Sequence, residues 1–171
     1  MSSVVNAVPY WVLSLAYWLH MLATVAWIGG LTALIYLLLP AAKKDLDPGS
    51  YASLLLHIQR RLDPLAWLSL AILMGTGLIQ MSASPNYQGF LQFSNLWSLA
   101  ILIKHLVFLV MVAFSGYMSW VVLPAMRRLA LTKNRGSAEA RRLQRREASL
   151  LKINLILGII ILGLTALARA V

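Results

Sequence analysis

Three histidines and one lysine set deep in an apolar run are the side chains best able to do chemistry in this sequence. His20 lies about ten residues into the first apolar run, flanked by Tyr17, Trp18, Thr24 and Trp27, and His105 about nine residues into the third, beside Lys104. If both runs start on the same side of a membrane, equal residue counts mean equal depth, roughly 14 Å at about 1.5 Å per residue. In an up-down bundle the first and third helices are diagonal, with axes roughly 13 Å apart when neighbours are about 8–10 Å apart. That gap is too wide for two imidazoles to touch, but it suits two rings reaching toward a haem iron, for which neutral imidazole is a common axial ligand. The spacing therefore points to a b-type haem held by His20 and His105, with Thr24, Trp27 and Lys104 around it. The alternative for each ring is a buried imidazole hydrogen-bonded to a neighbouring helix.

Lys104 meets no carboxylate in this reading. The five acidic residues, Asp45, Asp47, Asp63, Glu139 and Glu147, fall in the connections or at span edges. An ammonium in hydrocarbon costs at least a few kcal/mol unless it snorkels or meets an anion, which leaves the outer headgroups, a haem propionate or an acidic substrate. Met21 adjoins His20, and Met74 with Met81 and Met111 with Met118 recur at helical spacing. Thioethers suit Cu(I), so copper is the alternative cargo or cofactor, set against ordinary apolar packing. His57, near a basic stretch, reads as solvated or interfacial.

The elements that must position these residues are transmembrane helices. Of 171 residues, 60% are hydrophobic and 12% charged, with a mean hydropathy of +0.77, too apolar for a soluble domain of this size. Four spans of about 20 residues use nearly the whole chain, so residues 1–171 read as one all-α domain, a four-helix up-down bundle. The spans are expected at about 10–39, 64–81, 96–124 and 150–168, with a short amphipathic helix over 50–61 and Pro64 in the first turn of the second span. Residues 1–10 lack the basic start of a cleavable signal, so the first span is expected to be retained. Trp11, Trp18, Trp97 and Tyr87 fit an outer aromatic belt. Small residues at Gly29-Gly30, Gly75, Gly77, Gly116, Gly158 and Gly163 are expected to let helices approach closely. No internal repeat stands out.

The net charge of +10 is concentrated beside apolar runs. Arg127-Arg128, Lys133, Arg135, Arg141-Arg142 and Arg145-Arg146 surround a turn at Asn134-Gly136, and Lys43 to Arg61 is basic too, whereas the N-terminus and residues 82–95 carry no Lys or Arg. The positive-inside rule puts both basic connections in the cytoplasm and both termini outside, in a bacterial inner membrane. The Arg-rich loop is then a topology determinant or an anionic-lipid contact, with no nucleic acid involved. With no cysteine in the sequence, disulfides, thiolate metal sites, iron–sulfur clusters and covalent c-type haem are excluded.

The run from Trp18 to Leu31, with His20, Trp27 and Gly29-Gly30, resembles the first-helix motif of the copper-resistance D (CopD) membrane domain. Thr76-Gly77, Ile103-Lys104-His105 and Leu123-Pro124 extend that resemblance over nearly the whole chain. The related HemJ-type protoporphyrinogen oxidases place a His in the first helix and a Lys in the third, matching His20 and Lys104, and are associated with b-type haem. Leu34 to Pro40 lacks the Arg and second His of that group, which leaves the CopD domain as the closer likeness. The resemblance implies a small membrane cytochrome working with a redox partner or substrate; copper transport and a non-catalytic subunit of a larger membrane complex are the other classes.

Overall fold

The computed structural model describes residues 8–87, 89, 96–131 and 138–170. Its four long helices are α1 (Tyr10–Asp45), α2 (Pro48–Ser82), α3 (Leu96–Leu131) and α4 (Ala138–Ala170). All four are long and apolar enough to cross a membrane, and their exposed faces carry large apolar side chains such as Trp11, Val25, Leu68, Leu109, Trp120 and Ile156. In water such a surface would drive aggregation; in lipid it is the solvated face. The chain is an integral, multi-pass membrane protein.

Each helix outruns its expected span, for local reasons. α1 does not stop at Leu39: a π turn over Leu34–Leu38 precedes Pro40 and the helix continues to Asp45, its last turn carrying Lys43 and Lys44. Basic side chains there complement the exposed carbonyls of a helix C-terminus. The amphipathic stretch and the second span form one helix, because Asp47 caps it by accepting from the backbone N–H of Gly49 (2.9 Å) and Ser50 (3.2 Å). Pro64 is therefore interior to α2, not in a first turn. It denies the Arg60 carbonyl its usual donor, a defect that membrane helices absorb through neighbouring groups. α4 begins at Ala138, twelve residues before the expected position 150, with Glu139 in its first turn; the Arg-rich stretch is a helical extension. Lys133, Arg135 and the Asn134-Gly136 turn lie outside the described residues.

The helices pair as hairpins, α1 against α2 and α3 against α4, with α4 also touching α1. α2 meets α3 mainly through the stretch Leu123–Leu131 at the end of α3. That end, the basic end, is tightly packed: Leu34 and Ile35, Leu55, Val122 and Leu123, and Leu150 and Leu151 form its core. Residues from the end of α1, the start of α2, the end of α3 and the start of α4 meet there, so the helices alternate in direction. A thinner layer of Trp27, Leu70 and Met111 lies across the middle. Beyond it the bundle splays.

Two packing expectations fail. A Cβ at Gly29, Gly30, Gly75 or Gly163 would meet nothing within 4 Å, so these glycines do not mark close helix contacts. Gly158 does, with Ile28 Cγ1 3.5 Å from where its Cβ would lie, and Gly77 faces His20. Trp97 is buried, 8% exposed, and is no part of an aromatic belt. His57 is exposed as expected.

Candidate functional site

The splayed end encloses a cavity of about 810 Å3. His20, Thr24 and Trp27 of α1 and Lys104 and His105 of α3 all line it, together with Arg169 of α4. Two helices far apart in sequence thus present their histidines to one space, as equal depth on α1 and α3 requires.

Each ring is oriented by its Nδ1. His20 Nδ1 lies 2.8 Å from Thr76 Oγ1, whose single hydroxyl proton is given to the Ile72 carbonyl at 2.5 Å. Thr76 can then only accept, so His20 donates through Nδ1–H and its lone pair sits on Nε2. Gly77, the next residue of α2, faces the ring: a Cβ there would make ordinary contact with His20 Cε1 at 3.7 Å. Thr24 does not touch the ring; its hydroxyl donates to the His20 carbonyl at 2.8 Å. His105 Nδ1 is 2.7 Å from the Ile101 carbonyl, which can only accept, so this ring too donates through Nδ1 and has Nε2 as its acceptor. Metal-ligating imidazoles are characteristically held in this tautomer.

Charge in the cavity has one sign. Lys104 is joined by the exposed Arg169, whose guanidinium stacks 4.7 Å over the Tyr17 ring, and among the described residues no acidic side chain lines the cavity. Arg169 escaped the sequence reading because it closes the last apolar run and looks like an ordinary flank. Its signal was that it is a cation at an end where the N-terminus and residues 82–95 carry no Lys or Arg. Met21, Met74, Met81 and Met111 also line the cavity. Among the described residues no three His, Asp or Glu side chains converge as a metal site, so an ion bound here would have to draw on the thioethers.

The acids are not confined to connections or edges. Asp63 lies within α2 and accepts from the Ser119 hydroxyl of α3, while Glu147 of α4 is 1% exposed and accepts from Gln59 Nε2 at 2.7 Å. Sequence alone gave them no partners, because the pairings join residues 56 and 88 positions apart.

The family model of Copper resistance protein D matches residues 56–168, about two thirds of the chain, covering most of α2 and nearly all of α3 and α4, including Thr76, Lys104 and His105. His20 and the rest of α1 fall outside the matched residues. No curated protein and no solved structure gave a significant match. The chain belongs to the copper resistance protein D family.

Proposed function

We propose that this member of the copper resistance protein D family is a small membrane cytochrome of the bacterial inner membrane, holding one b-type haem in the cavity between α1 and α3. The observation that carries the reading is the pair of imidazoles, each tied through Nδ1–H and so presenting Nε2 as its acceptor, lining one cavity with two cations and, among the described residues, no acid. The residues fit the group. The volume lies within the range of about 300–1,000 Å3 usual for small-molecule and cofactor sites. Lys104 and Arg169 supply charge-assisted partners for two propionates, and Trp27, Phe108 and Ile161 supply apolar wall. Such a haem contributes reversible one-electron chemistry. The chain's own residues fix the imidazoles, compensate the carboxylates and exclude lipid. The charge pattern of the connections supports both termini outside and the basic end in the cytoplasm, next to anionic lipid, with electrons exchanged at the outer side with a partner protein or small substrate.

The test is an absorption spectrum of protein made with adequate haem supply. A low-spin b-type spectrum with a dithionite-reduced α-band is expected, and His20→Ala or His105→Ala should lose haem or turn it high-spin. Protein that takes up no haem under these conditions defeats the reading.

Copper transport or binding is the second reading, favoured by the family match and by four thioethers beside two imidazoles in one cavity. Two cations in the same space oppose a bare Cu(I) ion. Cells expressing the protein should then change their copper content in a His20-dependent manner; unchanged content in wild type and His20→Ala removes this reading.

A further inference from the structure

A second, smaller cavity of about 70 Å3 lies on the basic side of Trp27. Its walls include Trp27, Gln59, Asp63, Ser115, Ser119 and Asn154, drawn from all four helices. Trp27 lines both cavities and so forms the partition between them.

Two residues of this wall each carry a buried polar atom with no hydrogen-bond partner among the described residues, Trp27 at Nε1 and Asn154 at Oδ1. Trp27 is 6% and Asn154 4% exposed, so bulk solvent does not satisfy them. Leaving either unpaired costs about 1–3 kcal/mol. One is a donor and the other an acceptor. A cation cannot accept from the indole N–H, and a simple anion cannot donate to the amide oxygen, whereas water does both. The cavity exceeds the roughly 10–15 Å3 that one water molecule needs.

The remaining walls suit the same occupant. The Ser69 and Ser115 hydroxyls give their protons to the Leu65 and Met111 carbonyls, each at 2.8 Å, which leaves oxygen lone pairs for further donors. Ser119 donates to Asp63 and accepts from Trp67 Nε1 at 3.1 Å, fixing a carboxylate at the cavity edge. Gln59, also on the wall, donates to Glu147, which lies seven residues before Asn154 on α4, about 10 Å nearer the basic end. Along α2 Asp63 lies one turn beyond Gln59, and along α4 Asn154 lies about two turns beyond Glu147.

We propose that this cavity is a hydrated, carboxylate-bearing pocket whose water exchanges protons with Asp63, on the basic side of Trp27 and directly beneath the histidine cavity. Protons pass between the Asp63 carboxylate and this water, and return the same way. Trp27 is the plug that keeps this water from the histidine cavity. The inference does not depend on whether that cavity takes haem or copper.

The full chain in liposomes, with 15N-labelled tryptophan, supplies the test by solid-state NMR with magnetisation transferred from water, Trp27→Phe identifying the signal. The Trp27 indole proton should receive magnetisation from water and exchange with deuterium, although the residue is buried in a membrane protein. Asp63→Asn should keep the water contact but slow the exchange by about a hundredfold or more, since it removes the proton-accepting group on the wall. A Trp27 indole that receives nothing from water and does not exchange overturns the hydrated cavity. Exchange unchanged in Asp63→Asn overturns the proton-exchanging role.

Discussion

Replacing Thr76 by Val tests the orientation of His20 most directly. The substitution keeps the β-branched shape and the buried position but removes the oxygen that accepts from His20 Nδ1 at 2.8 Å. The ring then loses a hydrogen bond, and its buried N–H is left unsatisfied at a cost of about 1–3 kcal/mol, unless the ring turns and spoils the presentation of Nε2. Groups that hydrogen-bond the other ring nitrogen of a ligating histidine characteristically contribute about 10–100-fold in affinity, equivalent to about 1.4–2.7 kcal/mol, so both routes lead to the same range. The assay is titration of the purified apo-protein with haem, and separately with Cu(I), followed by absorption. Thr24→Val is the matched control, because that hydroxyl contacts only the His20 backbone carbonyl. It should change affinity less than about threefold, a fraction of the energy of one hydrogen bond. Equal affinities for wild type and Thr76→Val would refute the reasoning, since the tautomer would then not be set by Thr76.

Lys104→Met should weaken haem by about tenfold, as expected for one charge-assisted contact, while leaving haem dimethyl ester unaffected; for Cu(I) the sign reverses, because removing a cation favours another cation. Competitive titration of the three ligands reads the difference. Asp47→Ala should fray the start of α2 and lower thermal stability, monitored by helical circular dichroism. Hydrogen bonds from Ser50, side chain first, and from the Gly49 and Ser50 backbone hold the Asp47 carboxyl below the usual carboxylate range. Its contribution is therefore complete above the unfolded carboxylate pKa and lost as pH falls through the lowered folded value. For topology, reporters fused before Ser2 and after Val171 should be accessible from outside the cell and one inserted in the 132–136 loop only from inside; the opposite pattern sinks the assigned orientation.

The legible part of this protein was what periodicity and charge encode. Four apolar runs gave four helices in the right order, and matching counts from the helix starts put His20 and His105 on the wall of one cavity. Helix ends were less legible, because hydropathy reports the hydrocarbon layer and not the helix: Lys43 to Asp45 and Arg141 to Arg146 are helical yet polar. The pairings of Thr76 with His20 and Ser119 with Asp63 were hidden, since hydroxyls inside apolar runs look the same whether they bond their own helix or a neighbouring one. Thr165 and Ser115, which bond only their own helix turns, show how weak that signal is.

One pattern was present in the sequence but could be understood only through the backbone. α1 and α3 each contain a π turn, at Leu34–Leu38 and Met118–Val122, followed by Leu-Pro. In both, the N–H of that leucine reaches back five residues, Leu39 to Leu34 and Leu123 to Met118. A proline in mid-helix lacks a donor and crowds the carbonyl four residues earlier; widening the preceding turn relieves the crowding and lets the helix run on. The second residue of each turn is brought inward. In α1 that residue is Ile35, 5% exposed, which completes the apolar core. In α3 it is Ser119, which joins Trp67 and Asp63. One backbone device on two diagonal helices thus supplies a packing residue on one side of the bundle and a polar one on the other, and the small cavity opens on the polar side.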